Sequence, residues 1–233
     1  MAKIVALLPM KAHSARVSGK NFRVLVNKPL FRWVLDSLVS VDEIDQIIIN
    51  TDARDILASN GLVDGFGGGK VLVRDRRPEI CGDFVPMNTI IEDDLAAVEA
   101  QAYLMTHTTN PFLSAGTIQK ALQAYGEAVE QGTADSLFTV NKIQTRFYRQ
   151  DGSAVNHDPN VLLRTQDLEP WFEENSNLYV FSKASFAATN ARIGGKPMMF
   201  ETPMLESIDI DTPEQWEVAE AVGTYKLQAE RAL

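Results

Sequence analysis

The chain has 233 residues, 45% of them hydrophobic and 23% charged, with a formal net charge of −9. That length can bury a substantial core as one domain spanning 1–233, and the acid excess without a long basic cluster excludes nucleic acid as a partner. No apolar run approaches the ~20 residues of a membrane-spanning helix, and the lone Cys81 excludes an intrachain disulfide framework, as expected of a cytoplasmic protein.

Lys3 to Leu8 reads as a buried strand, because Pro9 and Lys11 cut the apolar run below the ~7–15 residues of a signal-peptide core. A polar, basic loop follows over 9–21. Leu30, Phe31, Val34, Leu35 and Leu38 recur at helical spacing, with Pro29 suited to a first turn. Gln46 to Ile49 predicts the next strand and Ala53 to Asn60 the next helix, stopped by Gly61. The glycine run at 65–69 neither follows the first strand nor opens a helix, so it reads as a turn before the strand Lys70 to Val73 rather than as a phosphate loop. Met87 to Ala102 predicts a long amphipathic helix, Tyr103 to Thr106 a central strand, Ser114 to Val129 a helix and Ser136 to Val140 a strand. Rhythm then fails over 142–174, which reads as an inserted lid or dimerisation arm. It returns with strands at Leu178 to Phe181 and Ser207 to Ile210, and a helix from Pro213 to Tyr225. Alternating strands and helices predict an α/β fold: three layers, with helices on both faces of a mostly parallel mixed sheet.

Two constellations carry chemistry. In Ser207-Ile-Asp209-Ile-Asp211-Thr-Pro-Glu214, strand alternation would put both aspartates on one side, where a carboxylate pair can hold a hard cation such as Mg²⁺. The competing reading makes Asp211 and Glu214 a helix cap. The second constellation is the loop Pro9 to Asn21. Its Lys11, Arg16 and Lys20 stand at the carboxyl end of the first strand, where open α/β sheets bind ligands. Ser14, Ser18 and Gly19 let its backbone turn N–H groups toward an anion, or else the loop is a solvated basic surface.

These residues resemble the acylneuraminate cytidylyltransferase family. Pro9, Ser14, Arg16, Gly19, Lys20 and Asn21 match its PARGGSKRIPGKN loop. Asn50-Thr-Asp52 resembles its STD, Arg76 through Asp83 its RPAELASD, and Thr109-Asn110-Pro111 its TSP. Asn175-Ser-Asn-Leu-Tyr179 resembles NGAIY, and Ser207 through Thr212 resembles SIDIDT. The resemblance implies a nucleotidyltransferase that moves CMP from CTP to an acidic nonulosonate- or ulosonate-type sugar, works with Mg²⁺ on Asp209 and Asp211, and forms a homodimer through the insertion. It implies that Lys20 and Lys11 neutralise the triphosphate, that Asn21 contacts the nucleotide with Ser14, Arg16 and Asp52, and that Arg76, Cys81 and Asp83 surround the base. His107, Thr109, Asn110, Arg164, Glu173 and Asn175 fall toward the acceptor.

The chain also departs from the family pattern. Ala12 and His13 replace the two loop glycines, Leu113 an arginine, and Glu173 the arginine before NGAIY. These changes point away from an ordinary sialic acid and leave Lys142, Arg146, Arg149 and Arg164 of the insertion as alternative cations, or as solvated charges. His107 is either a structural histidine or an acceptor contact. Trp171 and Phe172 either cap a ligand or pack on a second subunit. A non-sugar acid such as a phosphonate, or a non-catalytic nucleotide-binding role, remains the alternative function.

Overall fold

The computed structural model describes residues 2–14 and 17–231. Strand β1 is Ala2–Leu7, followed by a small hairpin of β2 (Val24–Leu25) and β3 (Lys28–Pro29) and by helix α1 (Leu30–Val39). Next come β4 (Gln46–Thr51), α2 (Arg54–Ser59), β5 (Val71–Asp75), α3 (Met87–Ala97), β6 (Ala100–Met105) and α4 (Ala115–Glu130). The last part holds β7 (Ser136–Ile143), β8 (Trp171–Phe181), α5 (Lys183–Thr189), β9 (Pro197–Glu201) and α6 (Pro213–Arg231).

Seven strands form one sheet in the order β5-β4-β1-β6-β8-β7-β9. Pairing is parallel from β5 through β6, and β8 is antiparallel to both β6 and β7. β9 runs parallel to β7 at the edge. The mostly parallel mixed sheet is therefore as expected. Its central strands are apolar on both faces, as sheets covered twice must be. Ala6, Ile47, Ile49 and Leu104 pack with Leu35 and Leu38 of α1 and Ile118 of α4. Val5, Leu7, Ile48 and Tyr103 pack on the other side with Ile91 and Leu95 of α3 and Phe186 of α5. A third cluster joins Val17, Leu25, Leu30, Trp33 and Phe112 to Ile210 and Trp216, seating the start of α6 against the hairpin.

Several expectations needed correction. The helix from Met87 stops at Ala97, because Val98 turns extended (φ −134°, ψ 124°) and feeds directly into β6. The insertion at 142–174 is irregular only in its middle. Its two ends are strand, with Lys142 opposite Phe172 and Ile143 opposite Trp171. Residues 207–212 form no strand, so alternation does not place Asp209 and Asp211. Helix α5, capped by Ser182 Oγ accepting from Ser185 N at 3.0 Å, and strand β9 were not foreseen. β9 begins with Pro197 and lies on the sheet edge, where proline costs no ladder bond.

Candidate active site

The loop after β1 is shaped by Gly19, whose φ of +58° is left-handed and open to glycine without steric cost. Its carbonyl accepts from Phe22 N and Arg23 N, and the turn drives Lys20 inward until it is 8% exposed. There Lys20 Nζ donates to the Ile210 carbonyl at 2.6 Å and to Asp211 Oδ1 at 3.0 Å. One side chain thus ties the N-terminal loop to the segment that enters α6. Asn21 donates to the Lys11 carbonyl at 3.0 Å and accepts from Thr108 Oγ1 at 2.7 Å. Asp52 accepts from Ala12 N at 2.7 Å, so it secures the loop from β4.

These elements enclose a cavity of about 370 Å³ at the carboxyl ends of β1 and β6, where parallel sheets place their ligands. Lys11, Ser14, Lys20, Asn21, Arg76, Asp83, His107, Thr109 and Asp211 all line it. Arg16 lies outside the described residues. Lys11 Nζ pairs with Asp83, and this hydrogen bond holds the Asp83 carboxyl below its usual value. Met87 and Ile90 at the start of α3 give the cavity an apolar wall.

The helix-cap reading of Asp211 is settled by its neighbours. Gln215 Oε1 accepts from Thr212 N at 2.9 Å, and Gln215 N donates to Thr212 Oγ1 at 3.3 Å. That reciprocal pair is a capping box with Pro213 just inside it. The cap is therefore Thr212 with Gln215, and the Asp211 carboxylate faces Lys20 and the cavity instead. Asp209 stands half-buried two residues earlier.

No group of three or more His, Cys, Asp or Glu side chains able to hold a metal occurs among the described residues. Mg²⁺ commonly takes one or two carboxylates, its remaining positions going to phosphate oxygens and water; of the two aspartates expected to hold it, Asp211 lines the cavity and Asp209 does not.

The acceptor residues expected from the sequence are rearranged. His107 lines the cavity and its Nε2 meets Arg192 Nη1 at 3.2 Å. A guanidinium only donates, so Nε2 is the acceptor and the imidazole is neutral. Burial, and then the Arg192 charge, push its pKa down to about 3. Arg192 also lies 3.8 Å over the Tyr179 ring and 3.5 Å from Glu174 Oε1. Arg192 was missed, because it follows the unforeseen α5 in a stretch with no periodic pattern. Glu173 does not join this group: it accepts from Asn141 at 3.1 Å, and neighbouring strand residues face opposite sides. Glu174 is the one that does.

Arg164 is bound to Asp167 three residues on, in an exposed turn, and does not line the cavity. Asn110 is fully buried, tucked under by the Asn110 N to His107 carbonyl turn. Asn175 is buried too, donating to Asn141 Oδ1 at 2.9 Å and Thr202 Oγ1 at 2.7 Å. It sits in a bulge of β8, and Asn177 beside it donates to the Glu206 carbonyl at 2.9 Å. The pair braces the segment leading to Asp209. Cys81 turns its sulfur toward the Arg77 carbonyl at 3.4 Å and is not part of the cavity wall.

A sequence model for a family described as cytidylyltransferase matches residues 5–232. The chain is 28% identical over 224 residues to the N-acylneuraminate cytidylyltransferase of Oncorhynchus mykiss, covering 93% of this chain and 49% of that one; it thus spans about half that relative's length. It is 24% identical over 229 residues to the CMP-N,N'-diacetyllegionaminic acid synthase of Legionella pneumophila, covering 94% and 95% of the two. In fold it is similar to a CMP:2-keto-3-deoxy-manno-octonic acid synthetase complexed with CTP (TM-score 0.65, 15% identity, 96% and 99% covered).

Proposed function

The chain belongs to the cytidylyltransferase family, and on that premise we propose that it transfers CMP from CTP to a small acidic acceptor, releasing pyrophosphate. The observation that carries the reading is the meeting of Lys20, Asp211, Asn21 and Arg76 around one cavity at the carboxyl end of the sheet. Phosphoryl transfer asks a protein mainly for positioning and for positive charge around the shifting oxygens. Lys20 and Lys11 supply ammonium groups for the triphosphate, while Arg76 and the Met87–Ile90 wall form the remainder of a nucleotide-sized cleft. The acceptor hydroxyl oxygen attacks the α-phosphorus, the bond to the bridging oxygen of pyrophosphate breaks, and the hydroxyl proton is released. Asp211 and Asp209 would hold Mg²⁺, which when bound supplies Lewis-acid polarisation and neutralises charge on the phosphates.

The acceptor we assign is a keto-sugar acid of the kind named for the relatives. We place the acceptor beside His107, which lines the cavity and is backed by Arg192 and, through it, by Glu174. A homodimer in the cytoplasm, built through the arm at 142–174, completes the proposal. No helix among the described residues is long and apolar enough to cross a membrane.

A pyrophosphate-release screen tests this reading, crossing the four nucleoside triphosphates with keto-sugar acids and phosphonates. Release with CTP and a keto-sugar acid is expected. Release only with a phosphonate would move the acceptor to the non-sugar class, and none with any pair would make the chain a non-catalytic binder.

A further inference from the structure

Behind Arg76 lies a buried charged network that the reaction does not touch. Asn50 on β4 is wholly buried. Its Nδ2 donates to Asp94 Oδ1 at 2.8 Å and to Asp93 Oδ2 at 3.3 Å, both on α3. Arg74 on β5 pairs with both carboxylates, and Arg77 Nε reaches Asp93 Oδ1 at 2.7 Å. Asp94 is 1% exposed and Asp93 9%.

An amide has one accepting and one donating end, and its orientation follows from its partners. With both amide hydrogens of Asn50 directed at carboxylates, its Oδ1 must face the other way. There it accepts from Arg76 Nε at 2.9 Å. Arg76 Nη2 is fixed in turn by the Asn50 carbonyl at 2.9 Å and the Met10 carbonyl at 3.2 Å. A flipped amide would set NH₂ against N–H, two donors in a buried place, which costs the bond and the desolvation of both groups.

We propose that Asp93 and Asp94 are positioning residues for nucleotide binding: by locking the amide of Asn50 they hold Arg76 in the wall of the nucleotide cleft. The inference rests on the reading that this cleft takes CTP. The device needs an acceptor at position 94, not a charge, and that separates it from a structural ion pair.

The test compares Asp94→Leu, which removes the acceptor in a similar volume, with Asp94→Asn, which keeps an oxygen. Asp94→Leu is expected to raise KM for CTP on the order of tenfold with kcat nearly unchanged, the pattern of lost uniform binding. Asp94→Asn should restore KM to near the wild-type value. Asn50→Ser, which cuts the link to Arg76 with a small side chain, should raise KM as Asp94→Leu does, and it decides the matter if Asp94→Leu does not fold. An unchanged KM in Asn50→Ser or in folded Asp94→Leu overturns the proposal. So does a fall in kcat alone, or an Asp94→Asn enzyme as impaired as Asp94→Leu. CTP titration of the wild-type protein is run beside these, because absence of CTP binding there sinks the functional reading instead.

Discussion

At the scale of single residues, the site is marked by polar groups whose burial is matched by specific partners. Lys20 illustrates the cost and the remedy: an ammonium taken out of water needs a carboxylate and a carbonyl close by, and Asp211 and Ile210 provide them. His107 shows the opposite solution, staying neutral so that Arg192 has an acceptor. That neutrality has a measurable sign. The folded-state pKa of about 3 lies below the ordinary 6.5, so the unfolded chain takes up this proton first. The stability His107 contributes is full above about pH 6.5 and is lost as pH falls toward 3. Asp94 has the reverse sign, because burial raises its pKa to about 6; its contribution is full below the ordinary carboxylate value and is lost as pH rises through about 6. In the comparison of wild type with His107→Gln, Asp94 is common to both and cancels. We expect the wild-type melting temperature to fall more steeply than the variant's between pH 7 and pH 5. Parallel slopes would show that His107 is not held neutral.

At the scale of elements, the junction entering α6 separates two roles that the sequence leaves superimposed. Thr212 and Gln215 cap the helix, while Asp211 turns toward the cavity. Thr212→Ala should therefore lower stability by roughly 1 kcal/mol, the usual worth of an N-cap, with turnover close to wild type. Asp211→Asn should instead cut turnover on the order of a hundredfold or more, and its cost in stability should come from the lost charge beside buried Lys20 rather than from the helix end. Thermal melts and pyrophosphate release on both variants give the comparison. Turnover close to wild type in Asp211→Asn would return Asp211 to a purely structural role.

At the scale of the whole molecule, the sheet buries its centre on both faces, yet the arm between β7 and β8 carries apolar side chains outward. Leu162 is 91% exposed, and Val161, Leu163, Trp171 and Phe172 are exposed with it. Apolar side chains exposed together along one arm suit a protein interface, and a second copy of the chain is the occupant the dimer proposal names. Leu162→Asp should shift the protein toward monomer in analytical ultracentrifugation while far-ultraviolet circular dichroism stays the same. A wild-type monomer at micromolar concentration would remove the dimer.

What the sequence by itself determined was whatever depends on neighbours in the chain. The central strands, the α1 stripe of Leu30 to Leu38 and the helix after Pro213 follow from periodicity and from capping residues, which act over three or four positions. The basic loop was legible because its cations are unusual in an acidic chain, and the SIDIDT-like segment through its resemblance to a family motif. Tertiary structure alone decided the rest. Pairing across β7 and β8 turned the ends of an apparent insertion into strands, since ladder bonds come from a partner about 30 positions away. It also chose Glu174 over Glu173, made Asn175 a brace, and brought Arg192 to His107 and Asp94 to Arg76 through Asn50. Such choices rest on burial and on hydrogen bonds between distant segments, and a run of neighbouring residues contains neither.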